Sequence, residues 1–459
     1  MKNNARRAIG VFAATLLPLA GMVVSAGPAA ASHLGCGSVV TSSTTLANDI
    51  GPCTGDGLIL RGSGITLDLG GHTVTGNNIN NRTADQQIGI HFEGATGDAV
   101  RNGTVLKFDA GVAIDGGGGN TVSGITARDN IAHVLLTGGV DPKDPVATPC
   151  DFGDGITTDN STGNRITGNR TIHNGPYSGI SLVDASLNNV VSGNQASDNT
   201  VSNQLPPGVT NPPNPDGSPG DSNGPCGPFQ SGAAGEGRLH QDIGIRVEGP
   251  GATGNRVTGN SSTGNQLNGI SIHGYVCNLF GQPFPQVGTP NTDNVIQGNS
   301  VSNNGFAGVT ELLDGIGILR QGPLGSVTCA SFRNTIVGNS STGNARDGIY
   351  VTAMSHDNTI NQNAVRSNGR DGIHLDGPFT VCPPGQSGPP PTFTCKVPRV
   401  ARPGAENNTL KGNAGFGNAA HDGFDANLNC DNNHWVGNAF GTVNPLCVAN
   451  GGSGTLKTP

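Results

Sequence analysis

One short pattern recurs through most of this chain and constrains its fold more than any other feature: Gly-Ile, any residue, then an apolar residue. It stands at Gly89-Ile90-His91-Phe92-Glu93, Gly155-Ile156, Gly179-Ile180-Ser181-Leu182, Gly244-Ile245-Arg246-Val247-Glu248 and Gly269-Ile270-Ser271-Ile272-His273. It returns at Gly348-Ile349-Tyr350-Val351, Gly372-Ile373-His374-Leu375-Asp376 and Gly423-Phe424-Asp425, with looser copies at Leu58, Val112, Val134 and Ile318. From Ile90 the leading apolar residue falls at Val112, Val134 and Ile156, in steps of 22. The steps from Ile156 to Ile180 and from Ile349 to Ile373 are 24. A second pattern, Asn-x-apolar-x-Gly-Asn, follows at Asn164 to Asn169, Asn255 to Asn260, Asn334 to Asn339, Asn408 to Asn413 and Asn433 to Asn438. A third short stretch ends in Asn174, Asn265, Asn304, Asn344 or Asn368.

Alternating residues make strands with one face in and one face out. No apolar period of 3.6 survives, and Gly or Asn interrupts every few residues, which excludes helices. Gly supplies corners with positive φ, and Asn tolerates left-handed backbone while bonding locally. Stacked Asn side chains can also bond from coil to coil. Each coil buries its Ile and Val only by stacking on its neighbours. The expected fold is all-β: a right-handed, three-faced parallel β-helix of about twelve coils, a rod roughly 55–60 Å long at ~4.8 Å per coil.

Residues 1–31 read as a signal peptide, with Lys2, Arg6 and Arg7 before an apolar stretch and Ala29-Ala30-Ala31 as the cleavage site. Residues 32–57 form an N-terminal cap, 58–428 the solenoid, and 429–459 a C-terminal cap and tail. Pro- and Gly-rich insertions lie near 138–153, 203–241, 275–293, 322–333 and 378–406. The coil pattern resumes after each, so they are excursions from one solenoid rather than linkers. Trp435 occupies an inward position of its strand and reads as end-cap core.

All ten Cys follow the cleavage point, and no Cys-x-x-Cys occurs. In an exported chain this predicts disulfides rather than metal thiolates. Cys36–Cys53, Cys382–Cys395 and Cys430–Cys447 are local pairs. Cys277 and Cys329 follow strands on adjacent coils and pair across the stack, leaving Cys150 with Cys226. Without Lys2, Arg6 and Arg7 the chain has 21 basic and 32 acidic residues, a formal charge of −11. Such a chain is a poor ligand for nucleic acid or anionic membranes. No later segment reaches ~18 unbroken apolar residues, so no membrane insertion is expected. The expectation is a secreted, extracellular monomer.

The stretch Gly64-Ile65-Thr66-Leu67-Asp68-Leu69-Gly70-Gly71-His72-Thr73-Val74-Thr75-Gly76, behind the Cys36 and Cys53 pair, resembles the opening of NosD-like β-helix proteins. The Gly-Ile and Asn-x-apolar-x-Gly-Asn coils resemble the same pectate-lyase-like group, over about residues 36–450. The group includes the module of carbohydrate-binding proteins and sugar hydrolases, so the resemblance implies an extracellular polysaccharide as partner. It does not fix a reaction. Of a polygalacturonase-like set only Asn291-Thr292-Asp293 is present, which chance explains. Asp141-Pro142-Lys143-Asp144 approaches a mannuronan-epimerase-like Asp-Pro-His-Asp, but Lys143 replaces the proton-transferring His. Arg399-Val400-Ala401-Arg402-Pro403 does not match the pectate-lyase-like Arg-x-Pro-x-x-Arg. NosD proteins assist copper-site assembly. Copper(I) favours Met and Cys ligands, and only Met354 remains after signal removal, which makes a copper accessory a distant alternative.

Outward positions follow the leading Ile by one and three residues. The first column reads His91, Ala113, Leu135, Thr157, Ser181, Arg246, Ser271, Leu319, Tyr350, His374, Asp425. The second reads Glu93, Asp115, Thr137, Asp159, Val183, Glu248, His273, Gln321, Thr352, Asp376, Asn427. Gly315-Ile316-Gly317-Ile318 leaves its register open by two residues. The last three coils are densest, with Arg346-Asp347-Gly348, Arg370-Asp371-Gly372 and His421-Asp422-Gly423 before the strand. Stacking would place Asp347, Asp371 and Asp422 in one ladder, ~5 Å apart. Either Arg346, Arg370 and His421 neutralise it, or a hard cation such as Ca²⁺ does. Asp before Gly is also ordinary turn chemistry. The candidate catalytic residues are His374, Asp376, His421 and Asp425, with Tyr350, Arg346 and Arg370 binding substrate. The reading is a protein that binds or modifies polysaccharide, by lyase, epimerase or hydrolase chemistry if it is an enzyme. The alternative is a non-catalytic structural rod.

Overall fold

In a computed structural model the strands stack into one continuous parallel array. The structure describes residues 31–77, 87–131, 153–175, 177–199, 243–249, 251–274, 278–279, 282–283, 291–305, 313–319, 331–381, 398, 400–430 and 432–458. Among the described residues, thirty-six strands belong to a single sheet that winds around three sides. The first side runs from Ser38–Val40 through Leu58–Leu60, Ile88–Glu93 and Ala110–Asp115 to Ile373–Leu375 and Gly423–Asp425. Each strand pairs in parallel with its counterpart one coil on, as Ile156 does with Ile180 and Ile349 with Ile373. This is the all-β parallel helix expected. Among the described residues, helix is limited to short 3₁₀ turns at Leu428–Cys430 and Leu446–Ala449. No helix there is long and apolar enough to cross a membrane.

The alternation of the strands builds the core. Ile90, Val112, Ile156, Ile180, Ile245, Ile270, Ile349 and Ile373 are fully buried, as are Ile166, Val191, Ile336 and Ile360 on the second side. The two repeated glycines act differently. Gly168, Gly259, Gly338 and Gly412 hold the positive-φ corner. The glycine before Ile has no such φ and is needed for close approach. A Cβ at Gly348 would stand 2.5 Å from Gly372 O and 2.7 Å from Asn368 Nδ2.

Three asparagine ladders run along the corners. In the first, Asn164 Nδ2 donates to Asn189 Oδ1 at 3.0 Å and Asn189 to Asn255 at 3.1 Å. The second continues from Asn169 to Asn194 at 3.0 Å, and the third from Asn174 through Asn199 and Asn265 to Asn304. Each rung also accepts a backbone N–H from the preceding coil, as Asn189 Oδ1 does from Asn164 N at 2.8 Å. Buried polar corners are thereby satisfied.

Three sequence expectations change. Ala110–Asp115 pairs directly with Ile156–Asp159, so the expected rung between them is not there; Val134 itself lies outside the described residues. Ile316, not Ile318, aligns with Ile270 and Ile349, which moves Leu319 to the second column and puts Gly317 in the first. In the last coil Gly423 pairs with Ile373, Phe424 with His374 and Asp425 with Leu375. That one-residue slip turns Phe424 outward and Asp425 inward.

Cys36–Cys53 and Cys430–Cys447 close the two ends, with Cα atoms 5.5 and 6.2 Å apart. Each spans 17 residues, a loop closure of about 3 kcal/mol in the chain-entropy account. The other three expected pairs, Cys150–Cys226, Cys277–Cys329 and Cys382–Cys395, lie outside the described residues, as does the signal segment up to Ala30. Trp435 is 1% exposed and meets Phe440 edge-on at 6.0 Å, at the end of the core.

Candidate functional site

The corner two residues before each first-side Ile forms a column of its own. Toward the C-terminal end it reads Asn268, Asp314, Asp347, Asp371 and, because of the slip, His421. Each member's side chain accepts the backbone N–H of the next. Asp314 N donates to Asn268 Oδ1 at 2.8 Å, Asp347 N to Asp314 at 3.2 Å, Asp371 N to Asp347 at 3.0 Å and His421 N to Asp371 at 2.9 Å. Each carboxylate also takes a cationic or imidazole side chain from the following coil. Arg346 forks onto Asp314 at 2.8 and 2.6 Å. Arg370 forks onto Asp347, with Nε at 2.9 Å from Oδ1 and Nη2 on Oδ2. His421 Nδ1 meets Asp371 Oδ1 at 2.9 Å. The partners of this ladder are protein groups, supplied one coil away.

The outward face beside it brings the candidate residues together. His374 Nδ1 meets Asp371 Oδ2 at 2.8 Å, and Nε2 faces Asp376 Oδ1 at 3.3 Å. Tyr350 OH donates to the other oxygen of Asp376 at 2.7 Å, and Ala353 N adds a bond at 3.3 Å. The Arg346 guanidinium lies 4.2 Å over the Tyr350 ring, a cation–π contact. Phe424 packs on His374 at 4.7 Å and on His421 at 5.1 Å. The side chains of Asp376 and Arg370 stay open, 26% and 38% exposed, above a buried base.

The electrostatics follow from these contacts. Burial opposes charge on His374, but hydrogen bonds to Asp371 and Asp376 and the field of Asp347 outweigh it and raise its pKa to about 9. Burial pushes Asp376 up, and His374 and Tyr350 pull it back below the ordinary carboxylate range. Asp371 is lowered in the same way, by His374 and His421 against burial. Burial and the neighbouring Asp376 hold the Tyr350 phenol well above its usual range. The arrangement is an imidazolium between two carboxylates, one reaching solvent, with a phenol that keeps its proton.

The expected three-aspartate ladder does not assemble. Asp422 stands opposite Gly372, and its Oδ2 accepts Gly441 N at 3.1 Å and Thr442 N at 2.9 Å. Its Oδ1 takes Asn418 Nδ2 at 2.7 Å, ending the third asparagine ladder. Asp425, expected in the outward column, is 2% exposed. It takes Trp435 Nε1 at 2.9 Å and Asn433 Nδ2 at 3.1 Å, ending the first ladder. Both replace the next Asn where the stack stops. Ligand atoms of Asp347, Asp371 and His374 do lie within 4.8 Å of one another. Arg370, His421 and the His374–Asp376 contact already engage these atoms, so a cation held there would have to displace hydrogen bonds that the stacked coils supply.

Sequence reasoning missed Asp314, although Asp314-Gly315-Ile316 repeats the Asp-Gly-Ile of the next two coils; aligning on Ile318 hid it. It also passed over a buried group in the middle coils. There Arg246 pairs with Glu248, Tyr177 OH donates to Glu248 at 2.5 Å, and His273 meets Ser271 Oγ at 2.7 Å. The columns contained Arg246, Glu248, Ser271 and His273, but nothing in the spacing showed that outward residues would be buried there.

Residues 34–209 match the family model described as a right handed beta helix region. The chain carries a right-handed β-helix. No curated protein sequence matches it significantly. Among solved structures, this β-helix is similar to the periplasmic alginate epimerase AlgG, at 12% identity over 84% of this chain and 72% of that one, with a TM-score of 0.46. It is similar to the A-module of the Azotobacter vinelandii mannuronan C-5 epimerase AlgE4, at 13% identity over 94% and 89%, with a TM-score of 0.42. A third is the Dettilon tailspike protein gp208, at 14% identity over 86% and 59%, with a TM-score of 0.41.

Proposed function

We propose that this β-helix works outside the cytoplasm and binds a linear polysaccharide along the C-terminal coils of its first face, where His374 and Asp376 exchange a proton with one sugar unit. The observation that carries this reading is the chain Tyr350–Asp376–His374–Asp371. It joins a partly exposed carboxylate, able to accept a proton, to an imidazolium able to return one. Arg370 beside it offers a cation to a polar or acidic substituent. An extended polymer laid along a straight column meets one rung after another, which suits a solenoid better than a compact ligand does. Disulfides at both ends fit an oxidising compartment.

A rigid, non-catalytic rod is the second reading. What favours it is that Asp314, Asp347 and Asp371 already have partners on the following coil, an arrangement that needs no ligand.

The test is a panel of neutral and uronate polysaccharides, read for binding, new reducing ends, unsaturated products and epimerised units. His374→Ala with Asp376→Asn is compared with Glu93→Gln in an early coil. The expected result is loss of binding or turnover in the double variant and retention in the control. Persistence in the double variant with loss in the control would overturn the site. A parent that binds nothing on the panel favours the rod.

A further inference from the structure

The terminal strand Ser453–Leu456 lies in parallel beside Ala439–Asn444. The next residue, Lys457, turns its carbonyl oxygen to His421 Nε2 at 3.1 Å. A carbonyl can only accept, so this nitrogen is the donor and carries a proton. The other ring nitrogen faces Asp371 Oδ1, which also accepts the His421 backbone N–H. The second oxygen of Asp371 is the one that meets His374 Nδ1. One carboxylate thus touches two imidazoles, one from the site and one from the cap, and Phe424 packs against both rings. Lys457 is itself held from two directions. Its N–H donates to Val443 O at 3.0 Å, and its Nζ donates to Ala419 O at 3.0 Å. A carboxylate with both oxygens engaged cannot turn without losing a bond, and an imidazole bonded at Nδ1 takes its orientation from that partner.

We propose that the end of the chain positions the site: the Lys457 carbonyl fixes His421, His421 fixes Asp371, and Asp371 fixes the His374 ring. His421 is then a positioning residue rather than a catalytic one. The inference rests on His374 being the working group of the proposed function, but its test does not require a glycan.

The readout is the imidazole proton–nitrogen spectrum of the full chain labelled at histidine, with His374→Asn to assign the signal. In the parent, His374 Nδ1–H is expected far downfield and slow to exchange. His421→Ala and deletion of residues 457–459 should each remove that signal or move it upfield. Lys457→Ala gives up the Nζ bond but keeps the main-chain carbonyl and the N–H bond to Val443 O that holds it, and should leave the signal in place. His421→Asn sets an amide nitrogen near the place of Nδ1, keeps a donor for Asp371, and should restore it. An unchanged signal in His421→Ala overturns the relay, and the point variants decide it even where the deletion does not fold. Equal losses in Lys457→Ala and the deletion overturn the role of the carbonyl. A parent with the downfield signal that binds no polysaccharide overturns the proposed function and leaves the relay standing.

Discussion

His273 and His374 lie on the same face of the solenoid, three coils apart, and both are buried, at 3% and 7% exposure. Burial pushes both toward the neutral form, yet they end on opposite sides. For His273 burial comes first and the Arg246 cation adds to it. Glu248 opposes them too weakly, so the pKa falls to about 3. For His374 two carboxylates within hydrogen-bonding reach reverse the effect of burial, and the pKa stands at about 9. Neither burial nor the face sets the sign; the charge presented by neighbouring corners and coils does. The middle coils present Arg246, with Glu248 paired to it, and a serine hydroxyl, and the C-terminal coils present Asp371 and Asp376 within hydrogen-bonding reach.

The largest expected effect comes from breaking the ion pair on the middle side. Arg246→Met leaves Glu248, 4% exposed, without its cation and should cost about 3–5 kcal/mol of unfolding free energy. Denaturant melts measure it, and a loss below ~1 kcal/mol would mean that the pair is not closed off from water. On the C-terminal side, Asp371→Asn removes the carboxylate shared by His374 and His421. Hydrogen bonds to charged groups suggest a cost of about 2–3 kcal/mol at neutral pH.

The pH dependence of stability sharpens the contrast because the two limbs have opposite signs. His374 is raised above 6.5, so its contribution is full below that pH and disappears as pH rises through about 9. His273 is depressed, so between 6.5 and about 3 the unfolded chain takes up a proton that the folded one refuses, and stability falls as pH drops. His374→Asn should flatten the alkaline limb and leave the acid limb, and His273→Asn should do the reverse. Melting temperatures across the range give the answer, and if both variants change the same limb, the assigned charges are wrong. In Asp371→Asn the alkaline fall should begin at lower pH than in the parent. The smallest effect belongs to the N-terminal coils. Glu93 meets Arg61 at 2.6 Å with both side chains about half exposed, and Glu93→Gln should change stability by less than ~1 kcal/mol.

Much of this architecture is legible in the amino-acid sequence because spacing within one coil is a steric matter. A glycine before Ile allows the next coil's backbone to approach, a positive-φ glycine turns the corner, and Asn fills a corner that must bond to its own kind. Those requirements repeat in every coil, so the three faces, the alternation that buries Ile and Val, the closing disulfides and the polar richness of the last coils follow from residue order alone. Relations between coils are another matter. Insertions of unequal length erase the period, so Val134 reads as a rung although its flanking strands pair directly, and Ile318 reads as the lead where Ile316 takes it. In a strand of period two, a slip of one residue reverses every side chain. That slip put Phe424 outside, made Asp422 and Asp425 terminators of asparagine ladders, and gave His421 the place of an aspartate. Only the tertiary structure could decide which Arg reaches which Asp, because Arg346 and Arg370 fork across coils onto Asp314 and Asp347 and meet the aspartate beside them in sequence only at 3.6 and 3.5 Å. A fork of two hydrogen bonds needs the partner's oxygens in its plane, and the stacked coil supplies that geometry.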